Sequence, residues 1–383
     1  MAAKKISERH QPGTLHHKGI DYTFLFLIML LLLVGLVMLL SASAPAGASK
    51  YNDSYHFFKK QLVFVVAGLV GMVIVSKIDY RLYYKHAKLI FGICLILLVL
   101  VAIPGIGISL NGSRRWIQLP GFQLQPSEFM KLGLSMMLAY MISCGKYNVT
   151  DLKKITPFVV VIGAVALLMI LEPHLSGTIV MVGIGAWILI SAGTKIWPFA
   201  VGLPILGVFG FIGIYLFDAN RLARLMRFLS PFEDMQHSGY QIAQALYAMG
   251  SGGLFGRGLG QSVQKYSYLP EPYNDFIFSI ACEELGLFGG ALIIIAFALL
   301  ILRGFRIALN APDTFGTLLA TGIMAQIAIQ TTLNIAVATS SVPNTGVSLP
   351  FFSYGGTAIM VILVEMGILL NISRASLKEH TNL

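Results

Sequence analysis

Apolar runs of about twenty residues fill most of the chain, and short polar connections separate them. The runs fall near 22–43, 60–76, 87–104, 127–144, 157–172, 176–193, 196–217, 275–302, 314–338 and 355–373. Each is close to the roughly 20 residues that a helix needs to cross the hydrocarbon core of a bilayer. The pattern predicts an all-α polytopic membrane protein with about ten transmembrane helices. The longest polar interruption is 218–274, which predicts one long loop between the seventh and eighth spans. Residues 1–21 read as a polar, basic tail, 22–373 as the membrane domain and 374–383 as a second tail. An even number of spans places both tails on one side.

Composition agrees with this pattern. Of 383 residues, 56% are hydrophobic and only 11% charged, against roughly 25% charged in soluble domains. The mean hydropathy is +0.77. A net charge of +10 in a soluble chain would suggest nucleic acid. Here the cations sit between apolar runs, so they report topology instead. Connections on the side of the tails hold 16 Lys and Arg, the opposite connections hold ten, and Lys131 lies within a span. Half of those ten belong to the long loop, and long loops weigh little in orientation. Both termini are therefore expected in the cytoplasm, with the 218–274 loop outside. No cleavable leader is expected, because the first apolar run is long enough to span. The cysteines Cys94, Cys144 and Cys282 have no metal-ligand spacing and read as packing residues.

Polar and Gly-rich sequence gathers in the outward connections 105–127, 172–177, 218–274 and 339–356. Function concentrates on such segments when a rigid scaffold holds them. No Walker pattern is present, and the glycines at 250–260 follow no predicted strand, so neither a nucleotide cofactor nor nucleic acid is expected. No internal repeat is evident, which disfavours an inverted-repeat transporter.

Five constellations could carry chemistry. Arg114, Arg115 and Trp116 precede Gln125, Ser127, Glu128 and Lys131. Arginine forks match phosphate oxygens, and Trp equally serves as an interfacial anchor. Glu128 and Lys131 stand at i, i+3 and can pair on one helix face. Glu172 and His174 interrupt the apolar sequence beside Pro173, either as a broken element lining a wet cavity or as structural residues. Arg221, Arg224 and Arg227, at i, i+3 and i+6, could form a basic helix lying on anionic lipid. The stretch 239–290 contains Gln241, Gln244, Lys265, Glu271, Asp275, Glu283 and Glu284. A carboxylate at the mouth of a span, as Asp275 is, is a functional candidate by default, and Asp is also a preferred helix cap. The turn-rich segment 340–356, with Ser353 and Tyr354, leads into the last span, which carries Glu365.

Taken together, these residues resemble the SEDS family (shape, elongation, division, sporulation), the family of FtsW, RodA and SpoVE. The matching pieces are Arg115-Trp116-Ile117, Gln125-Pro126-Ser127-Glu128 with Lys131, Gly239-Tyr240-Gln241, Gly250-Ser251-Gly252-Gly253, Leu269-Pro270-Glu271 with Asp275-Phe276-Ile277-Phe278, Glu283-Glu284-Leu285-Gly286, and Pro350-Phe351 with Ser353-Tyr354-Gly355-Gly356. They occur in family order across the membrane region. The form Gly256-Arg257-Gly258-Leu259-Gly260-Gln261-Ser262 resembles the FtsW/SpoVE branch more than RodA. One departure is clear: where the family often shows an acid after Pro, this chain has His174 and one further residue before Gly177-Thr178.

The resemblance implies a peptidoglycan glycosyltransferase acting in division or sporulation wall synthesis at the outer face of the plasma membrane. Its substrate would be lipid II, a disaccharide-pentapeptide on undecaprenyl pyrophosphate. Its partner would be a class B penicillin-binding protein, with membrane lipids around both. Donor lipid II is α-linked and the glycan is β-linked, so the transfer inverts and needs a general base. Asp275 is the expected base, and Arg114, Arg115 and Lys131 are the expected cations for the leaving pyrophosphate. Trp116, Gln125, Ser127, Glu128, Gln241, Lys265, Ser353 and Tyr354 complete the expected substrate site. A divalent cation, Mg or Mn, could share the charge, but no ligand cluster declares one. A lipid II flippase and a non-catalytic scaffold of the wall-synthesis complex are the rival readings.

Overall fold

The computed structural model describes residues 19–110, 113–120, 122–145, 149, 151, 154–172, 174–202, 232 and 238–376. Arg221, Arg224 and Arg227, most of the expected seventh span and the two tails lie outside them. The described helices are α1 (Tyr22–Tyr51), α2 (His56–Lys77), α3 (Arg81–Ala102), α4 (Pro126–Ser143), α5 (Thr156–Leu171), α6 (Leu175–Ser191), α7 (Ser238–Gly252), α8 (Ile277–Leu309), α9 (Thr314–Ala338) and α10 (Gly356–Ser376). Six of them, α1, α2, α3, α8, α9 and α10, are long and apolar enough to cross a membrane, and α5 and α6 are apolar but shorter. The helical expectation holds, with two refinements. The polar connection 105–127 is not a plain loop but holds a small antiparallel sheet. The long 218–274 connection contains α7.

In the sheet, β1 (Gly107–Leu110) pairs with β2 (Ser113–Leu119), and β2 pairs with β3 (Phe122–Leu124). The register shifts between Ile108, opposite Trp116, and Ser109, opposite Arg114, so Arg115 is the extra residue of a bulge in β2. The sheet is fastened to the bundle at both ends of its path. Arg114 Nη1 donates to the Ala102 carbonyl at 3.3 Å, and Thr357 Oγ1, in the first turn of α10, donates to the Gln123 carbonyl at 2.9 Å.

Close helix packing uses small residues, as expected where lipid supplies no hydrophobic drive between helices. One such contact joins α2 to α10. A Cβ at Gly367 would lie 2.6 Å from the Met72 carbonyl oxygen, so only glycine allows the two backbones to meet there.

Side-chain bonds sort the connections onto two ends of the bundle. At one end Asp21 caps α1, accepts from Arg303 Nε at 2.7 Å, and takes the Ser373 hydroxyl on its main-chain N–H at 3.2 Å. Tyr80 joins the same end, donating its hydroxyl to Asp313 at 2.6 Å and its N–H to Asn371 at 3.0 Å. The opposite end gathers the sheet, the α5–α6 connection, the segment before α8 and the segment before α10.

Candidate functional site

The segment 271–276 turns into α8 without a side-chain cap. Phe276 stands at the N-cap and no side chain bonds the first turn, so the capping role considered for Asp275 is not used. Asp275 is instead half-buried at the helix mouth. Its carboxylate accepts no hydrogen bond among the described residues. Burial, then the negative charge of Glu271, push its pKa up to about 6, and the Arg115 guanidinium pulls the other way. The bulk around it is held rigidly. Glu271, at φ +50°, accepts from Asn274 Nδ2 at 2.7 Å. Ser353 Oγ donates to the Asn274 carbonyl at 2.7 Å and accepts the Leu349 N–H at 2.8 Å. Tyr354 N–H donates to the Tyr273 carbonyl at 2.9 Å. The rings of Phe57, Tyr273 and Tyr354 stack edge and tilt around this join, with centroids 4.6–6.1 Å apart.

Ser353 and Tyr354 therefore lie beside Asp275 as expected, but they brace its main chain through their own hydrogen bonds. Gln61 adds to the brace. It is buried on α2, donates to the Ser353 carbonyl at 3.4 Å and accepts the Gly355 N–H at 3.1 Å. Gln241, at the start of α7, is close as well: it bonds the Pro270 carbonyl at 3.4 Å and accepts from Asn344 at 3.0 Å.

Arg115 reaches the same centre. Its charge acts on Asp275 and on Glu172 and His174, which are buried in the short α5–α6 connection. Arg115 is set apart as the bulge residue of β2, and Arg114 is spent on the Ala102 carbonyl at the end of α3. The two arginines thus do not act as one fork. Glu128 and Lys131 form a buried pair at 2.7 Å on α4. Gln125 stands at the N-cap of α4, and the Ser127 hydroxyl is buried without a partner among the described residues. Deeper in the bundle, buried Glu365 accepts from Gln326 at 3.0 Å.

Lys265 is the sequence candidate that the structure moves furthest. Its ammonium is buried and its three donors are used by Glu284 at 2.8 Å, Ser41 at 2.9 Å and the Gly260 carbonyl at 2.7 Å. It holds the loop 253–265 to α1 and α8 and presents no free donor to a substrate. Glu283 is paired with Arg257 at 3.3 Å and accepts from Ser262 Oγ at 2.5 Å. Both glutamates near the start of α8 thus meet a cation, Glu283 with Arg257 and Glu284 with Lys265. No group of three or more His, Cys, Asp or Glu side chains converges among the described residues. The side chains among the described residues do not form a protein-held metal site.

Residues 22–378 match the family of cell cycle proteins FtsW/RodA/SpoVE. Stage V sporulation protein E of Bacillus subtilis is 46% identical over 341 residues, 89% of this chain and 93% of the relative. A probable peptidoglycan glycosyltransferase FtsW of Trichlorobacter lovleyi is 41% identical, over 92% of this chain and 93% of its own length. Among solved structures, the rod shape determining protein RodA of Thermus thermophilus superposes with a TM-score of 0.70 at 26% identity, covering 93% of this chain and 97% of that one. A chain from a peptidoglycan synthase complex that coordinates polymerization and crosslinking shares the fold, with a TM-score of 0.77 at 24% identity.

Proposed function

The chain belongs to the FtsW/RodA/SpoVE family, and from that premise we propose that it is a peptidoglycan glycosyltransferase that polymerises lipid II in division or sporulation wall synthesis. The observation that carries the chemistry is the setting of Asp275. Its main chain is held by Asn334 and its neighbours by Ser353 and Tyr354, yet its carboxylate accepts no hydrogen bond among the described residues. It takes the proton of the acceptor 4-hydroxyl as that oxygen bonds to the donor anomeric carbon. The bond from that carbon to the phosphate oxygen breaks on the opposite face, and the pyrophosphate leaves with the electron pair. A pKa near the working pH suits a general base, whose help is typically worth about 10²–10⁴-fold. Arg115 is the cation best placed for the charge that develops on the leaving group. Lys131 and Arg114 support it at one remove, through the Glu128 pair and the anchored sheet. The charge distribution of the connections favours an outward-facing site with both termini in the cytoplasm. The partner in this reading is a class B penicillin-binding protein that crosslinks the strands.

The test is polymerisation of labelled lipid II by purified protein, with and without its class B partner, beside Asp275→Ala and with EDTA wells. Long glycan from the parent and none from a folded Asp275→Ala is the expected result. Loss of product in EDTA would add a divalent cation carried by the pyrophosphate. No polymer from folded parent under any partner condition would transfer the reading to a flippase or scaffold.

A further inference from the structure

Asn334 stands near the end of α9, in an apolar run between Leu333 and Ile335, and is 1% exposed. Its amide nitrogen donates two hydrogen bonds, one to the Asp275 carbonyl at 2.8 Å and one to the Val347 carbonyl at 2.7 Å. An amide nitrogen carries two hydrogens, so both are used. Turning the amide over would set its oxygen against two carbonyls, so the partners themselves fix its orientation.

The two carbonyls belong to different segments. One carries Asp275. The other belongs to the strap between α9 and the 349–355 brace. The strap also meets the carboxylate directly: a Cβ at Gly346, φ +68°, would lie 3.5 Å from Asp275 Oδ2. At the outer edge of the strap, Asn344 accepts the Gly346 N–H at 3.1 Å and donates to Gln241, which bonds back to Pro270. Asn334, Asp275, Pro270, Gln241, Asn344 and Val347 thus close a ring with the carboxylate on its rim. Asn334 ties the ring to α9 through both segments at once.

We propose that Asn334 is a positioning residue for glycosyl transfer, clamping the main chain of Asp275 to the strap so that the carboxylate is presented in one place. This rests on the reading of Asp275 as the base. Displacement of a reacting group by about 1 Å can cost about 10²-fold in rate even when the change is remote. The clamp also keeps Asp275 half-buried. Neither α9 nor the strap 340–349 contributes an ionisable side chain. The charges that face Asp275 are Glu271 from its own segment and Arg115 from β2.

Two measurements on full-length protein in nanodiscs test the clamp, using Asn334→Leu, which keeps the volume and removes the donors, and Asn334→Ala as a second variant. Hydrogen exchange is read on peptides covering 273–278 and 345–349. Polymerisation of lipid II is read as kcat, KM and the acid limb of the pH profile. The expected result is faster exchange in both segments together. With it should come a kcat about 10²-fold lower, a KM within about twofold, and an acid limb moved below its parent position as the carboxylate relaxes toward solvent. Unchanged exchange in the two segments would overturn the clamp whatever the activity. Looser segments with parental kcat and a parental acid limb would overturn the positioning role. Failure of the base assignment is read separately, from the parent and Asp275→Ala.

Discussion

Asp275 shows at the scale of one residue how a site and a fold pull against each other. Its pKa is raised in the folded chain because burial and Glu271 disfavour the anion. A raised carboxyl contributes stability that is present below the unfolded value near 4 and lost as pH rises through about 6. Asp275→Asn should therefore melt higher than the parent at pH 8 and at nearly the same temperature at pH 4. Thermal unfolding across that range checks it, and an offset that is equal at both ends would show that charge is not the cause. Asp275 was legible in the sequence because a carboxylate at the mouth of an apolar run is conspicuous. Asn334 was not, since an uncharged amide among Leu, Ile and Ala breaks no pattern. Lys265 was misplaced for a different reason. Its partners Ser41 and Glu284 are distant in sequence, and only the fold shows that its donors are already used.

Elements hold these residues in place, and the loop before α8 does so by an inverted polarity. Its charged and hydroxyl groups point inward onto Glu283 and Glu284. Those two carboxylates accept main-chain N–H groups from Gly260 at 3.0 Å, Ser262 at 3.3 Å and Val263 at 3.0 Å. The join works because α8 kinks at Gly286, φ +72°, where Gly256, φ +81°, presses against the Glu284 carbonyl. A methyl group at Gly256 would both clash and hold a residue in a left-handed conformation. Such strain costs about 1–3 kcal/mol before the clash is counted. Gly256→Ala should lower the melting temperature and expose the 253–265 loop to protease, whereas Gly250→Ala, with open space around it, should not. Equal behaviour of the two would contradict the join. The helices here were readable from hydropathy. The sheet was not, because its strands run only three to seven residues and the sequence alternates too briefly to separate a strand from a polar loop.

The whole molecule is a bundle with one structural end and one chemical end. Asp21, Tyr80, Arg303, Asp313 and Asn371 lock the first, and no sequence candidate lies there. The second gathers Arg115, Glu172, His174, Asp275 and the strap. The long apolar helices were legible because a bilayer demands long apolar runs. The convergence of these groups on Asp275 was not legible, since four separate connections contribute to it. Orientation has a direct test. Gln261→Cys should react with a membrane-impermeant maleimide in intact cells, while Asn310→Cys should react only after permeabilisation; both positions are exposed. The reverse labelling would turn the molecule over and remove Asp275 from the outer face.

The account stands or falls on Asp275 working as a base with its raised pKa. The most direct measurement is the pH dependence of kcat for lipid II polymerisation between pH 4.5 and 8.5, with enzyme shown to remain folded throughout. The account predicts a plateau above about pH 6.5 and a rate that falls about tenfold for each unit below pH 6, where Asp275 holds its proton. A rate independent of pH across that range would contradict it.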